Sequence, residues 1–144
     1  MRGFQNAKRM QIMTEKTELV PNSLEGFDVP AAIDRMLGRE DLWWEALCLF
    51  LQHFANWEAE WSAAQGDDAA ERRCVHALRS GAANVGANQV SCAAAVLEEL
   101  LLVRLSGKAV MIPPSVRGYL RDCWRTAHGA AAQANYRYCL KMAG

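Results

Sequence analysis

The chain has 144 residues, of which 22% are charged, and its 16 Lys and Arg residues balance its 16 Asp and Glu residues. A chain of this length suits one domain with a substantial hydrophobic core. The balanced charge provides no attraction to nucleic acid or to an acidic membrane, so we expect neither as a partner. No apolar run approaches the roughly 20 residues that span a bilayer, and the N-terminus lacks the apolar core of a signal peptide. We therefore expect a cytoplasmic protein.

Five cysteines are scattered along the chain without a C-x-x-C pair: Cys48, Cys74, Cys92, Cys123 and Cys139. An odd number at wide spacing predicts reduced thiols, most of them buried. A zinc site would have to draw on Cys48, Cys74 and Cys123 together with His53, His76 and His128. Because Cys74 and His76 would point to different sides of one helix, the sequence predicts no metal site.

The N-terminal residues 1–23 mix charged side chains with scattered methionines and show no sustained period. They end in a Pro-Asn-Ser sequence that breaks regular structure. This composition predicts a flexible tail or linker over residues 1–23 and a packed domain over residues 24–144.

A short helix is predicted at the start of the domain. Val29, Ile33 and Leu37 recur at helical spacing, and Pro30 suits the first helical turn. The helix should end at Gly38.

A long amphipathic helix is predicted from Glu40 to about Ala64, because no proline or glycine interrupts this segment. One face carries large apolar side chains: Trp43, Leu47, Phe50, Leu51, Phe54, Trp57 and Trp61. Aromatic residues at this spacing are more typical of a core than of a cofactor-binding face.

Two further helices follow. Asp68 and Glu71 form a capping-box pattern, which predicts a helix that begins there and ends at about Gly86. Asn88 to about Leu105 repeats apolar residues at steps of four and three, as in packed near-parallel helices.

The last helix opens at the Pro113-Pro114 sequence after a Ser-Gly-Lys break. Its apolar stripe comprises Val116, Leu120, Cys123, Ala127, Ala131, Ala134 and Tyr138. Strand-like alternation is absent and the connections are short, so successive helices should run antiparallel. The sequence predicts an all-α fold, an up-and-down antiparallel four-helix bundle with a short extra N-terminal helix.

His76 stands out on the helix that precedes Gly86. Its imidazole should face water or a partner, because it lies about 140° from the centre of the apolar stripe. That stripe comprises Val75, Leu78, Ala82 and Val85. The outward neighbours of His76 on the same helix are cations and small residues: Arg72, Arg73, Arg79, Ser80 and Ala83. They include no carboxylate of the kind that orients a general-base histidine. Guanidinium groups favour an incoming phosphoryl group and disfavour a second positive charge on the imidazole.

From His76 to Gly86 the chain reads H-A-L-R-S-G-A-A-N-V-G. This stretch resembles the histidine-containing phosphotransfer (HPt) domain of bacterial two-component phosphorelays, whose signature runs roughly H-x-L-K-G-x-A-x-x-(I/L/V)-G. The resemblance extends from about Gly26 to Leu105. Arg79 replaces the usual lysine and Ser80 replaces the usual glycine, so we expect the open position to be displaced in effect to Gly81.

The resemblance implies a phosphoryl carrier rather than an enzyme. A receiver-domain aspartyl phosphate would donate its phosphoryl group to an imidazole nitrogen of His76, expected to be Nε2, and another receiver would take it onward. The resemblance assigns roles to further residues: Arg79 in phosphoryl stabilisation, Ser80 in steric access, and Arg72, Arg73 and Ala83 in partner binding.

The expected partners are the receiver domains of response regulators and a hybrid sensor histidine kinase. Magnesium would belong to the receiver, so the resemblance implies no cofactor for this chain. We expect the domain to act as a monomer.

Two alternatives come from other functional classes. A helical adaptor would bind a receiver without taking phosphate, so it would keep binding when His76 is changed and would never become labelled. The other alternative is a metal-binding or hydrolytic bundle. A hydrolase would need a carboxylate near His76, and the best candidate is Glu98 on the following helix. That glutamate lies in a V-L-E-E-L stretch that resembles ordinary HPt sequence.

Overall fold

The computed structural model describes residues 20, 21 and 23–144. Over these residues every regular element is a helix: α1 (Val29–Arg35), α2 (Glu40–His53), α3 (Trp57–Ala64), α4 (Asp68–Val85), α5 (Asn88–Leu105) and α6 (Pro114–Ala143). The helices pack into a bundle around a single hydrophobic cluster, which confirms the all-α fold class. No helix in the described ranges is both long and apolar enough to cross a membrane.

The predicted tail falls almost entirely outside the described residues, which include only Val20, Pro21 and Ser23 of that segment. Val20 is buried in the hydrophobic cluster, on the N-terminal side of the domain start predicted at residue 24.

The end of α4 is fixed by Gly86, which adopts the left-handed conformation with φ of +84°. The backbone N–H of Asp28 donates a hydrogen bond of 2.8 Å to the carbonyl of Gly86, so the start of α1 lies directly on this turn. A Cβ atom at residue 86 would lie 2.7 Å from the Asp28 carbonyl oxygen, which explains why only glycine fits. The predicted helix end at this position is confirmed.

The start of α4 differs from the predicted capping box. The N-cap is Asp67, whose carboxylate accepts a hydrogen bond of 3.1 Å from the backbone N–H of Ala70. Glu71 is fully buried and accepts hydrogen bonds from Trp61 and Arg117 instead. The pairing of Asp68 with Glu71 was wrong because tertiary partners compete successfully for the Glu71 carboxylate.

The single long helix predicted from Glu40 to Ala64 is also wrong, because the chain leaves the helix at residues 54–56. Two contacts with α4 flank this break. The Phe54 ring lies against Gly81, and the Trp57 indole N–H donates a hydrogen bond of 2.9 Å to the carbonyl of Cys74. Gly81 and Cys74 lie seven residues apart on α4, which corresponds to about 10 Å along the helix axis. In a continuous helix, Phe54 and Trp57 would lie only about 4.5 Å apart along the axis. The turn between them therefore lets both side chains reach their contacts on α4.

The cysteines are less buried than predicted. All five are free thiols, yet only Cys123 is buried, while Cys48 and Cys74 are partly exposed and Cys92 and Cys139 are exposed. Cys92 lies on the outward side of α5, and Cys139 lies beyond Ala131, the last buried residue of α6. Thiol composition alone does not reveal on which side of a helix each residue lies.

Candidate functional site

The apolar stripe of α4 holds His76 at the surface. Val75, Leu78 and Ala82 on that stripe are completely buried, which fixes the rotation of the helix about its axis. The His76 side chain is 52% exposed. An approaching molecule can therefore reach the imidazole ring, although the ring is anchored on one side.

The anchor is Glu98, which reaches His76 from the neighbouring helix α5. His76 Nδ1 lies 2.7 Å from Glu98 Oε2, and Arg79 Nη1 donates a hydrogen bond of 2.8 Å to Oε1. Arg72 Nε lies 3.2 Å from Oε2 as an ion pair. The Glu98 carboxylate thus contacts one imidazole and two guanidinium groups, and these four side chains form a cluster.

Glu98 is ionised despite its burial, with only 2% of its side chain exposed. Burial by itself raises the pKa of this carboxyl group. Hydrogen bonds from Arg79 and His76, together with the charges of His76 and Arg72, outweigh burial and hold the pKa below the ordinary glutamate value.

The ionised carboxylate determines the tautomer of the imidazole. A carboxylate can only accept hydrogen bonds, so Nδ1 of His76 must carry the proton that it shares with Glu98 Oε2. In the neutral ring, Nε2 then holds the lone pair and is the nucleophilic nitrogen. The geometry therefore provides one exposed nucleophile of fixed tautomer, flanked by cations.

The other residues with predicted roles lie on the same face of α4 but outside this cluster. Arg73, Ser80 and Ala83 are exposed. Arg35 from α1, which the sequence did not single out, donates a hydrogen bond of 2.9 Å to the carbonyl of Ala83. This contact places one more cation at the far end of the face.

Gly81 does not provide the open position expected of it. A Cβ atom at this residue would lie 2.5 Å from Cε2 of the Phe54 ring. The absence of a side chain at Gly81 therefore allows close packing between helices. The exposed small residue next to it, on the same face as His76, is Ser80. The expected displacement of the signature glycine is wrong because Gly81 faces α2 and not the exterior.

The contact between His76 and Glu98 is the main feature that the sequence interpretation missed. It considered Glu98 only as the carboxylate that a hydrolytic site would need. A signal was present, since Glu98 continues the buried positions Ala94 and Leu97 of α5, where a carboxylate needs a cationic partner. His76 lies 10 residues before Gly86 and Glu98 lies 12 residues after it, so the two residues are at similar distances along the chain from this turn.

The remaining histidines lie in aromatic surroundings, away from this cluster. His53 is exposed and its ring packs edge-on against Phe54, while His128 is partly buried beside Trp124. In the described part of the chain, no group of three or more His, Cys, Asp or Glu side chains is placed to hold a metal ion.

The chain matches a known protein family. A family model described as the Hpt domain matches residues 45–133, which is more than half of the chain and includes His76 and Glu98. No curated protein and no solved structure matches the chain.

Proposed function

Because the chain belongs to the Hpt domain family, we propose that it relays a phosphoryl group between receiver-domain aspartates through His76. Hpt domains are phosphocarrier modules that interact with the receiver domains of response regulators in phosphorelays. The observation that carries the assignment to His76 is its exposed ring, anchored through Nδ1 to the ionised Glu98. A receiver in a response regulator and one in a hybrid sensor histidine kinase are the expected partners.

The transfer requires one bond to break and one to form. The O–P bond of the aspartyl phosphate breaks, its electron pair stays on the aspartate carboxylate, and a new P–N bond forms to Nε2 of His76. The ring becomes positively charged as Nε2 attacks, and the Glu98 carboxylate at Nδ1 stabilises that charge. Such a reaction depends mainly on positioning and charge stabilisation, so this chain needs no cofactor of its own, and magnesium is expected on the receiver alone.

The proposed docking surface for the receiver is the outward face of α4. Its small residues, Ser80 and Ala83, leave room beside His76, while Arg73 adds positive charge. Ser80 lies one turn beyond His76, where a large side chain would collide with the partner.

We also infer that α2 with α3, α4, α5 and α6 form an up-and-down antiparallel four-helix arrangement. Only Gly86 and Ala87 connect α4 to α5, which favours antiparallel neighbours. At the other end of the two helices, Asp68 in the first turn of α4 forms an ion pair of 3.1 Å with Arg104 in the last turn of α5. This pairing is expected of antiparallel neighbours.

A hydrolytic function would also use the carboxylate that Glu98 supplies. The family match favours the carrier, and the two functions differ in what accumulates. A carrier retains a phosphohistidine until a receiver removes the phosphoryl group, whereas a hydrolase releases inorganic phosphate without a lasting protein-bound form.

Phosphoryl labelling tests the proposal directly. Incubated with a phosphorylated receiver, the protein should acquire phosphate that is labile to acid and stable to base, as phosphohistidine is. His76→Gln should abolish labelling and leave the helix content intact, because the ring lies outside the core. The matched variants His53→Gln and His128→Gln should still be labelled. Labelling that persists in His76→Gln would exclude His76 as the acceptor.

A further inference from the structure

Arg72 is bound less well than the other side chains that surround Glu98. Its Nε lies 3.2 Å from Glu98 Oε2, the same oxygen that His76 Nδ1 approaches to 2.7 Å. The Nε–H group is buried from solvent, yet it has no hydrogen-bond partner. Because a buried donor without a partner is costly, Arg72 would gain from a better acceptor nearby.

Arg79 differs from Arg72 in this respect. Its Nη1 donates a hydrogen bond of 2.8 Å to Glu98 Oε1, an oxygen that neither His76 nor Arg72 uses. A charge-assisted hydrogen bond of this length is strong. Arg79 therefore positions the Glu98 carboxylate, which in turn orients His76.

Helix geometry places Arg72 within reach of a group carried by His76. Residues four apart lie on one face of a helix, and helical side chains lean towards the N-terminus, so the imidazole lies over the turn that carries Arg72. The Arg72 side chain is 36% exposed, which places it at the border between the cluster and solvent. A phosphoryl group on Nε2 would bring three anionic oxygens to this border.

We propose that Arg72 is the phosphoryl clamp of this protein. On phosphorylation of His76, the Arg72 guanidinium group leaves Glu98 and binds the phosphoryl oxygens, while Arg79 stays on Glu98. The contact that is given up is an ion pair without hydrogen-bond geometry, so the movement breaks no hydrogen bond. This inference rests on the proposed function, and it moves to Arg72 the stabilising role that the sequence interpretation expected of Arg79.

The test compares three variants that each remove one positive charge: Arg72→Gln and Arg79→Gln on α4 and, as the control, Arg137→Gln at an exposed position of α6. Each is incubated with one receiver domain loaded from acetyl phosphate, and the ratio of phosphorylated carrier to phosphorylated receiver is measured at equilibrium. Arg72→Gln should lower this ratio about tenfold, the scale of one charge-assisted hydrogen bond. Arg137→Gln should change it less than about twofold. Arg72→Lys should recover part of the loss, because it keeps the charge.

A second measurement separates the clamp from a merely structural role. Nitrogen-15 shifts of the unphosphorylated His76 ring report which nitrogen carries the proton. Arg72→Gln should leave the proton on Nδ1, whereas Arg79→Gln should disturb it by releasing Glu98. Unchanged circular dichroism spectra establish that the variants fold.

Each adverse outcome has a distinct meaning. If the parent protein is phosphorylated and Arg72→Gln keeps the parent ratio, the clamp inference fails while the proposed function stands. If Arg79→Gln lowers the ratio and leaves the proton on Nδ1, Arg79 is the clamp instead. If the parent acquires no phosphate from any receiver, the proposed function fails and the inference fails with it.

Discussion

At the scale of single residues, the environment of Glu98 combines burial with charge. Its carboxylate is almost inaccessible, and burial of a charge without partners would be strongly unfavourable. His76 and two arginines supply those partners, so the cost of burial is offset by groups that the site also uses. Glu98 is therefore a positioning residue in the proposed reaction, since it acts through the His76 ring.

Replacement of Glu98 by glutamine should slow phosphoryl acceptance by roughly ten- to a hundredfold, the scale of the loss when the partner that orients a metal-bound histidine is removed. Glutamine keeps the size of the side chain but removes the charge that favours a proton on Nδ1. The initial rate of transfer from a phosphorylated receiver measures the effect. Glu99→Gln on the exposed neighbouring position is the control. Equal rates for the parent and Glu98→Gln would show that the tautomer does not limit the reaction.

At the scale of secondary-structure elements, the contact between Phe54 and Gly81 joins the end of α2 to α4. Phe54 also belongs to an aromatic cluster with Phe50 and Trp124, so its ring has little freedom to move. The glycine therefore determines how closely the two helices approach.

A methyl group at Gly81 should destabilise the protein by about 1 kcal/mol, because the strain of overpacking exceeds the gain in helix propensity. The free energy of unfolding in urea measures the change. In a Phe54→Ala background the same Gly81→Ala substitution should become stabilising, since the ring that opposes it is gone.

Two other helical glycines provide a matched control for this prediction. At Gly118 and Gly129 in α6, an added Cβ atom would have no neighbouring atom within 4 Å, so alanine there meets open space. Gly118→Ala and Gly129→Ala should stabilise the protein by about 0.5–1 kcal/mol each. A Gly81→Ala variant that gains as much as these two would refute the close contact.

At the scale of the whole molecule, a buried ion pair joins three helices at the end of the bundle where α4 begins. Glu71 on α4 is fully buried and accepts two hydrogen bonds, of 2.8 and 2.9 Å, from Arg117 on α6. It also accepts one of 2.9 Å from the Trp61 indole on α3. The hydrogen bond to Glu71 raises the pKa of Arg117, so the guanidinium group stays charged.

Arg117→Met should destabilise the protein by about 3 kcal/mol, because it leaves the Glu71 carboxylate buried without its cation. The exposed pair of Arg125 and Glu58 has the same two-bond geometry, at 2.8 and 3.0 Å, and provides the comparison. Arg125→Met should cost less than about 1 kcal/mol, because solvent screens that pair. Similar losses in urea unfolding for the two variants would show that burial does not strengthen the Glu71 pair.

Local patterns in the sequence determined most of the helices. The bounds of α5 and the end of α4 at Gly86 followed from apolar periodicity and a glycine that permits positive φ, both of which depend on neighbouring residues alone. The surface position of His76 followed from the same periodicity, because a residue opposite an apolar stripe points away from the core.

Only the tertiary structure decided the features that depend on residues distant in sequence. Contacts with α4 flank the break between α2 and α3, and no proline or glycine marks it in the sequence. The partner of Glu71 lies 46 residues away, and the partner of His76 lies 22 residues away. Periodicity predicts which side of a helix faces inward, but it does not predict which charged side chain of another helix lies against that side. The nucleophilic nitrogen of His76 is therefore set by packing between α4 and α5.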